Sequence, residues 1–225
     1  MSVPEPPLPQ RCRVVLVDDH PIVRAGLAVL IDAERDLEVC GQAEGVRDAL
    51  GVIESERPDL VLVDLSLRGT NGLELIKQMT ERGVKTLVAS MHEDATYAER
   101  ALAAGALGYV HKGAATREIV RAIRRVMSGR VYVSESISEQ MLRRLVNPGK
   151  QNAQESPVAR LTDRELEIFE QIGQGKTTQE IGETLRLSPK TVQTYRQRIK
   201  EKLGLETAAE LSTQATRWVV EKPAT

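Results

Sequence analysis

Aromatic side chains are scarce in this sequence, with one Phe, one Trp and four Tyr making up 3 % of it. Without rings to fill space, a buried core has to be built from Leu, Val, Ile and Ala. Cysteine is equally sparse, and Cys12 and Cys40 stand far apart in no spacing that suits a metal site. Two distant thiols read as free cysteines in a reducing compartment and exclude a disulfide framework. No apolar run reaches the ~18–20 residues that a membrane span requires. The stretch from Met1 to Cys12 is rich in Pro and lacks the apolar segment of a secretory signal. Residues 1–12 therefore read as a disordered leader on a cytoplasmic protein with no membrane partner. Charge of one sign is lacking too: the net charge is −1, a total that conceals one strongly basic segment near the C-terminus.

What remains is the composition of soluble globular protein. Of 225 residues, 41 % are hydrophobic and 28 % charged, enough chain for one large domain or two small ones. Val14-Val15-Leu16-Val17, Leu60-Val61-Leu62-Val63 and the run Val84 to Ala89 are continuous β-branched and Leu-rich stretches. Such runs suit strands buried on both faces, the mark of a parallel sheet covered by helices. Leu37 to Ala43 and Gly108-Tyr109-Val110 supply a weaker second strand and a short fifth. Amphipathic segments near 21–33, 45–55, 71–82, 94–104 and 114–128 lie between and after them. This alternation predicts an α/β fold: a doubly wound five-stranded parallel sheet of order 2-1-3-4-5, over residues 13–130.

Composition then changes. Asn147 to Pro157 has no apolar period and many turn formers, so residues 131–157 read as a linker that includes a helix near 136–146. The remainder, 158–222, is helical throughout. Thr162/Glu165, Thr177/Glu180 and Thr207/Glu210 each fit the capping box, in which Thr and Glu satisfy orphan backbone donors reciprocally. Ser188-Pro189 adds an N-cap with Pro in the first helical position. Four short helices are expected, at roughly 163–173, 178–185, 189–203 and 208–220, forming a separate all-α domain.

In a doubly wound sheet, ligands gather at the carboxyl ends of the strands. Asp18 and Asp19 follow the first strand and Asp64 ends the third, its neighbour, so three carboxylates converge on one pocket. Like charges this close repel unless a cation intervenes. Oxygen donors select a hard ion such as Mg²⁺, and a carboxylate beside it is a nucleophile able to take a phosphoryl group. Ser90 ends the fourth strand with a hydroxyl, and Lys112 follows the fifth with a point charge that can pair with phosphate.

The residues DDHPIVRAG, VDLSLRGTNGLELI, Ser90 and GYVHKG resemble the receiver domain of bacterial two-component response regulators. That resemblance implies Asp64 as the phospho-acceptor, with Asp18 and Asp19 as Mg²⁺-binding acids and Ser66 lending a backbone carbonyl to the metal. It implies Ser90 as the switch hydroxyl, Tyr109 as the switch aromatic and Lys112 as the phosphate-pairing lysine. The common Met-Pro pair after the phospho-acceptor is missing, and Ser66 and His92 stand where family members tune acyl-phosphate lifetime. His20 and His111 flank the pocket and read as bystanders. An α/β enzyme fits less well. Dinucleotide binding wants glycines where Asp18 and Asp19 stand, and an aspartyl phosphatase wants an acid where Ser66 stands.

The basic segment lies in the third helix of the last domain. From Arg186 to Lys202 there are six basic residues and one acid, a local +5. Leu166, Phe169 and Ile172, then Ile181 and Leu185, then Val192, Ile199 and Leu203 give each helix one buried face. A basic helix preceded by a short helix and a tight turn is the footprint of major-groove binding to double-stranded DNA. LTDRE, Gly-Lys-Thr and SPKTVQTYRQRIKEKLG resemble the LuxR-type helix-turn-helix. By that resemblance Gln193, Thr194 and Gln197 face the groove and Lys190, Arg198 and Lys200 the backbone, and Thr177 and Thr178, at the entry to the second helix, also bind DNA. Gln193 and Tyr195 replace the Lys and His that many members carry. Taken whole, the chain resembles the NarL/FixJ response regulators, which implies a sensor histidine kinase as phosphoryl donor and a homodimer when phosphorylated. It also implies no enzymatic activity beyond the receiver's own phosphoryl transfer and dephosphorylation.

Overall fold

A computed structural model describes residues 11–67, 72–92, 95–146 and 157–221. Most of the expected leader and of the stretch 147–157 lies outside the described residues. The chain divides into two compact units, Met1–Asn147 and Pro148–Thr225.

The first unit alternates strand and helix. Its elements are β1 (Cys12–Val17), α1 (Pro21–Asp32), β2 (Leu37–Ala43), α2 (Val46–Glu56), β3 (Leu60–Val63), α3 (Gly72–Glu81), β4 (Lys85–Ser90) and α4 (Ala95–Ala103). They continue through β5 (Gly108–His111), α5 (Thr116–Met127), β6 (Tyr132–Val133) and α6 (Glu135–Val146). All strands run parallel in the order β2-β1-β3-β4-β5-β6. The expected order of the first five is present, and a sixth strand extends it. Tyr132 and Val133 pair with Gly108 and Tyr109 at the edge. Two residues carry no readable period, so this strand is set by tertiary pairing alone.

The apolar runs are buried as their composition requires: every residue of β3 is buried, as are Val14 to Val17 of β1. Alternate residues along the strands (Val14, Leu16, Leu60, Leu62, Leu87 and Val110) form one core with Leu27 and Ile31 of α1 and Ile119, Ile123 and Val126 of α5. Val15, Val17, Val61, Val63 and Val88 are equally buried, and the period of two places them on the opposite face. α3 begins hard against the end of β3. A Cβ on Gly72 would stand 2.8 Å from the Leu65 Cα, so only glycine allows this approach beside Asp64. α6 packs on α4, with Ile137 fully buried.

The second unit has a short 3-10 helix at Pro157–Arg160, then α7 (Asp163–Gly173), α8 (Thr178–Leu185), α9 (Pro189–Leu203) and α10 (Ala208–Glu221). Every expected helix start forms. Thr162 with Glu165 and Thr177 with Glu180 make complete capping boxes, Thr207 and Glu210 exchange the same pair of bonds, and the Ser188 hydroxyl accepts from the Thr191 N–H. Leu166, Phe169, Ile181, Val192, Ile199 and Leu211 are fully buried between the helices. Phe169 meets Trp218 at 5.8 Å, joining α7 to α10. Lys202 reaches the buried Glu165 at 2.6 Å, which fixes the far end of α9 to α7.

Candidate functional site

Parallel strands bring their carboxyl ends to one edge of the sheet, and four charged side chains meet there. Asp18, Asp19 and Asp64 are 2 %, 7 % and 3 % exposed. Their backbones extend the sheet, Asp64 donating its N–H to Val17 and Asp18 to Ala43. Lys112 Nζ sits 2.7 Å from Asp18 Oδ2 and 2.7 Å from Asp64 Oδ2, so one ammonium bridges the two acids. Asp64 Oδ1 accepts from the Ser66 N–H at 3.2 Å, and Asp18 Oδ1 from the His20 N–H at 2.8 Å.

Electrostatics make this pocket tense. Burial pushes the Asp64 carboxyl above its ordinary pKa and Asp18 adds to the push, outweighing the nearby Lys112 ammonium. For Lys112, burial pulls the pKa down, but the Asp64 and Asp18 charges win and hold it raised. Three carboxylates against one lysine leave negative charge to be balanced. Ligand atoms of Asp18, Asp19, His20 and Asp64 lie within 4.8 Å of one another, close enough to share one cation. Buried, oxygen-rich donors of this kind fit a hard divalent ion.

Ser90 is fully buried at the end of β4, and its Oγ accepts from the His92 N–H at 3.2 Å. Tyr109 is buried in β5, and its hydroxyl donates to the His92 carbonyl at 2.7 Å. The His92 ring in turn stacks on Tyr97 of α4, centroids 4.1 Å apart. Tyr109 is thus bonded to the loop between β4 and α4, one step removed from the acids.

In the second unit, Lys190, Gln193, Thr194, Gln197 and Arg198 are all exposed along α9. Lys190, Thr194 and Arg198 line a shallow depression of about 290 Å³ together with Ser188, Thr191 and Tyr195. The Arg198 guanidinium lies 5.9 Å from the Tyr195 ring centre, a cation–π contact that orients it. Gln193 Nε2 donates to Thr178 Oγ1 at 3.3 Å, bringing α8 to the same face. Two of the expected residues have other employment. The Thr177 hydroxyl is engaged in its capping box, and Lys200 donates to the Glu206 carbonyl just beyond α9.

Comparison with known proteins decides the family. Residues 14–124 match the response regulator receiver domain, and residues 159–215 match the bacterial regulatory proteins of the luxR family. The chain is 39 % identical over 206 residues to the response regulator UvrY of Escherichia coli K12, covering 91 % of this chain and 93 % of UvrY. This protein is a LuxR-type response regulator. It is also 37 % identical over 207 residues to the response regulator GacA of Pseudomonas aeruginosa, covering 91 % and 95 % of the two chains. Among solved structures it resembles the response regulator ChrA of a heme-sensing two-component system. That match has 28 % identity and a TM-score of 0.51 over 94 % of this chain and 98 % of ChrA. The response regulator therefore pairs a receiver domain with a LuxR-type DNA-binding domain, and belongs with transcription regulators rather than metabolic enzymes.

Some residues at these sites were given no site role in the sequence. His20 Nδ1 lies 2.8 Å from Asp19 Oδ1 and 3.3 Å from Asp18 Oδ1, inside the acid cluster rather than beside it. Arg24, one turn into α1, donates to the Asp18 carbonyl and to Glu44. Position i+4 from a helix start was a readable signal for that arginine. Thr191 and Tyr195 join the α9 depression at helical spacing from Arg198, which was readable too, and Ser188 joins it as the N-cap of that helix.

Proposed function

We propose that this response regulator is switched by phosphorylation of Asp64 and acts as a DNA-binding dimer. The observation that carries the reading is the Lys112 ammonium held between Asp18 and Asp64 in a buried acidic pocket. Asp18, Asp19 and Asp64, with the Ser66 carbonyl, would hold Mg²⁺, which supplies charge neutralisation for an incoming phosphoryl group. The Asp64 carboxylate attacks phosphorus, and the P–N bond of a phosphohistidine on a sensor kinase breaks. The leaving imidazole takes a proton from solvent. Lys112 pairs with the transferred phosphoryl oxygens and Ser90 turns its hydroxyl toward them. Ser90 and Tyr109 both bond to His92, so movement of either is felt at the start of α4.

In the second domain, Lys190 and Arg198 contact phosphates while Gln193, Thr194 and Gln197 read base edges. Such a regulator acts in the cytoplasm, where its promoter DNA lies. The test is phosphorylation of the full chain by acetyl phosphate with Mg²⁺, followed by intact mass. We expect one added phosphoryl group on the native protein and none on Asp64→Asn. Labelling of Asp64→Asn elsewhere on the receiver would sink the assignment.

A further inference from the structure

The ladder between β4 and β5 ends at the pocket, and its last backbone bond runs from the Lys112 N–H to the Ser90 carbonyl at 2.7 Å. Beyond that bond the two chains part, one toward α4 and the other toward α5. His111, the partner of Ser90 in the strand register, spans the gap with its ring. Nε2 lies 3.0 Å from the Met91 carbonyl, and Nδ1 lies 3.1 Å from the Gly113 N–H. A carbonyl can only accept and a backbone N–H can only donate. Both bonds therefore require a neutral ring with its hydrogen on Nε2 and a bare Nδ1. The ring lies close against the Gly113 backbone: a Cβ on Gly113 would stand 2.8 Å from Cε1 and 3.0 Å from Nδ1 of His111, so a side chain there would displace the ring.

Resting on the phospho-acceptor reading of Asp64, we propose that His111 is a positioning residue for phosphoryl transfer. It clamps Met91 to Gly113, and so holds Ser90 and Lys112, each one residue inside the clamp, in fixed relation at the pocket edge. Lys112 reaches both acids at 2.7 Å from this backbone position. Catalytic groups displaced by a fraction of an ångström lose much of their effect, whereas two partly exposed hydrogen bonds add little to global stability.

The experiment is the rate of Asp64 phosphorylation in the full chain, using acetyl phosphate and Mg²⁺. His111→Ala should slow it roughly tenfold while the melting temperature stays nearly level. His111→Gln can restore a donor to Met91 and His111→Asn an acceptor to Gly113, so each should recover part of the rate. Gly113→Ala should slow the native protein but add nothing in the His111→Ala background, because the ring it strikes is gone. A wild-type rate in His111→Ala, or an equal Gly113→Ala penalty in both backgrounds, overturns the clamp. Label on Asp64→Asn overturns the underlying phospho-acceptor reading instead, and the clamp's role with it. Ring ¹⁵N shifts of the native protein test the geometry apart from any variant: a hydrogen on Nδ1 overturns the proposal.

Discussion

Gln140 of α6 caps the first turn of α4: its side-chain oxygen accepts a hydrogen bond from the Ala95 N–H at 3.1 Å. Helix α6 lies after the sheet and before the DNA-binding domain, so this bond ties the chain leading to the output to the helix that follows the Ser90 loop. Losing a helix-terminal bond of this kind costs about 1 kcal/mol locally. Gln140→Ala should therefore raise amide exchange in α6 and at the start of α4 several-fold, with little change in the melting temperature. Unaltered exchange in α6 would mean that this bond does not hold it.

Lys112 offers a second test. Its removal leaves Asp18 and Asp64 buried with their shared cation gone, and stranded buried charges typically cost about 3 kcal/mol. Lys112→Ala should be clearly destabilised in metal-free buffer. A divalent ion that binds only the folded pocket should recover much of the loss. The measurement is the melting temperature with and without Mg²⁺. A Mg²⁺ shift no larger than that of the native protein would show that the lysine and the ion do not answer the same charge.

The features that were legible in the sequence share one property, which is that neighbouring residues encode them. Leu60 to Val63 is apolar at every position because both faces are buried, and each Thr–Glu capping box spans only four residues. The acids were legible because a strand end is a local landmark. What escaped depends on distant partners. Tyr132 and Val133 become a strand because Gly108 and Tyr109 offer an edge. His20 looked peripheral because its approach to Asp19 depends on how the chain turns into α1.

Asp64 also makes a prediction about pH. Its carboxyl is raised above the ordinary value of 3.8, mainly by burial. A raised acid binds its proton more tightly in the folded state, so the folded state loses stability as pH rises from the ordinary carboxylate range through the raised value. Asn resembles the neutral acid, and Lys112 would still keep Asp18 as partner. Asp64→Asn should therefore melt above the native protein at pH 8, by about 2–8 °C per kcal/mol of relieved strain. The gap should close as pH falls toward 4. A gap that widens on acidification would show that the pocket favours ionised Asp64.

On DNA, the exposed α9 side chains separate by the kind of effect they should have. Arg198, held near Tyr195, and Lys190 are assigned to phosphates. Replacing either with Ala should weaken binding evenly across sequences and lower the slope of log K against log salt by about 1. Gln193, beside Thr178, is assigned to a base edge. Gln193→Ala should cost about 1–3 kcal/mol on the preferred site, leave the salt slope unchanged and relax the preference at one position. Fluorescence anisotropy would measure both, using a duplex selected by the native protein from a random pool and a scrambled control. If Gln193→Ala weakens binding to both duplexes equally and leaves discrimination intact, the glutamine serves the backbone, and sequence reading rests on Thr194 and Gln197.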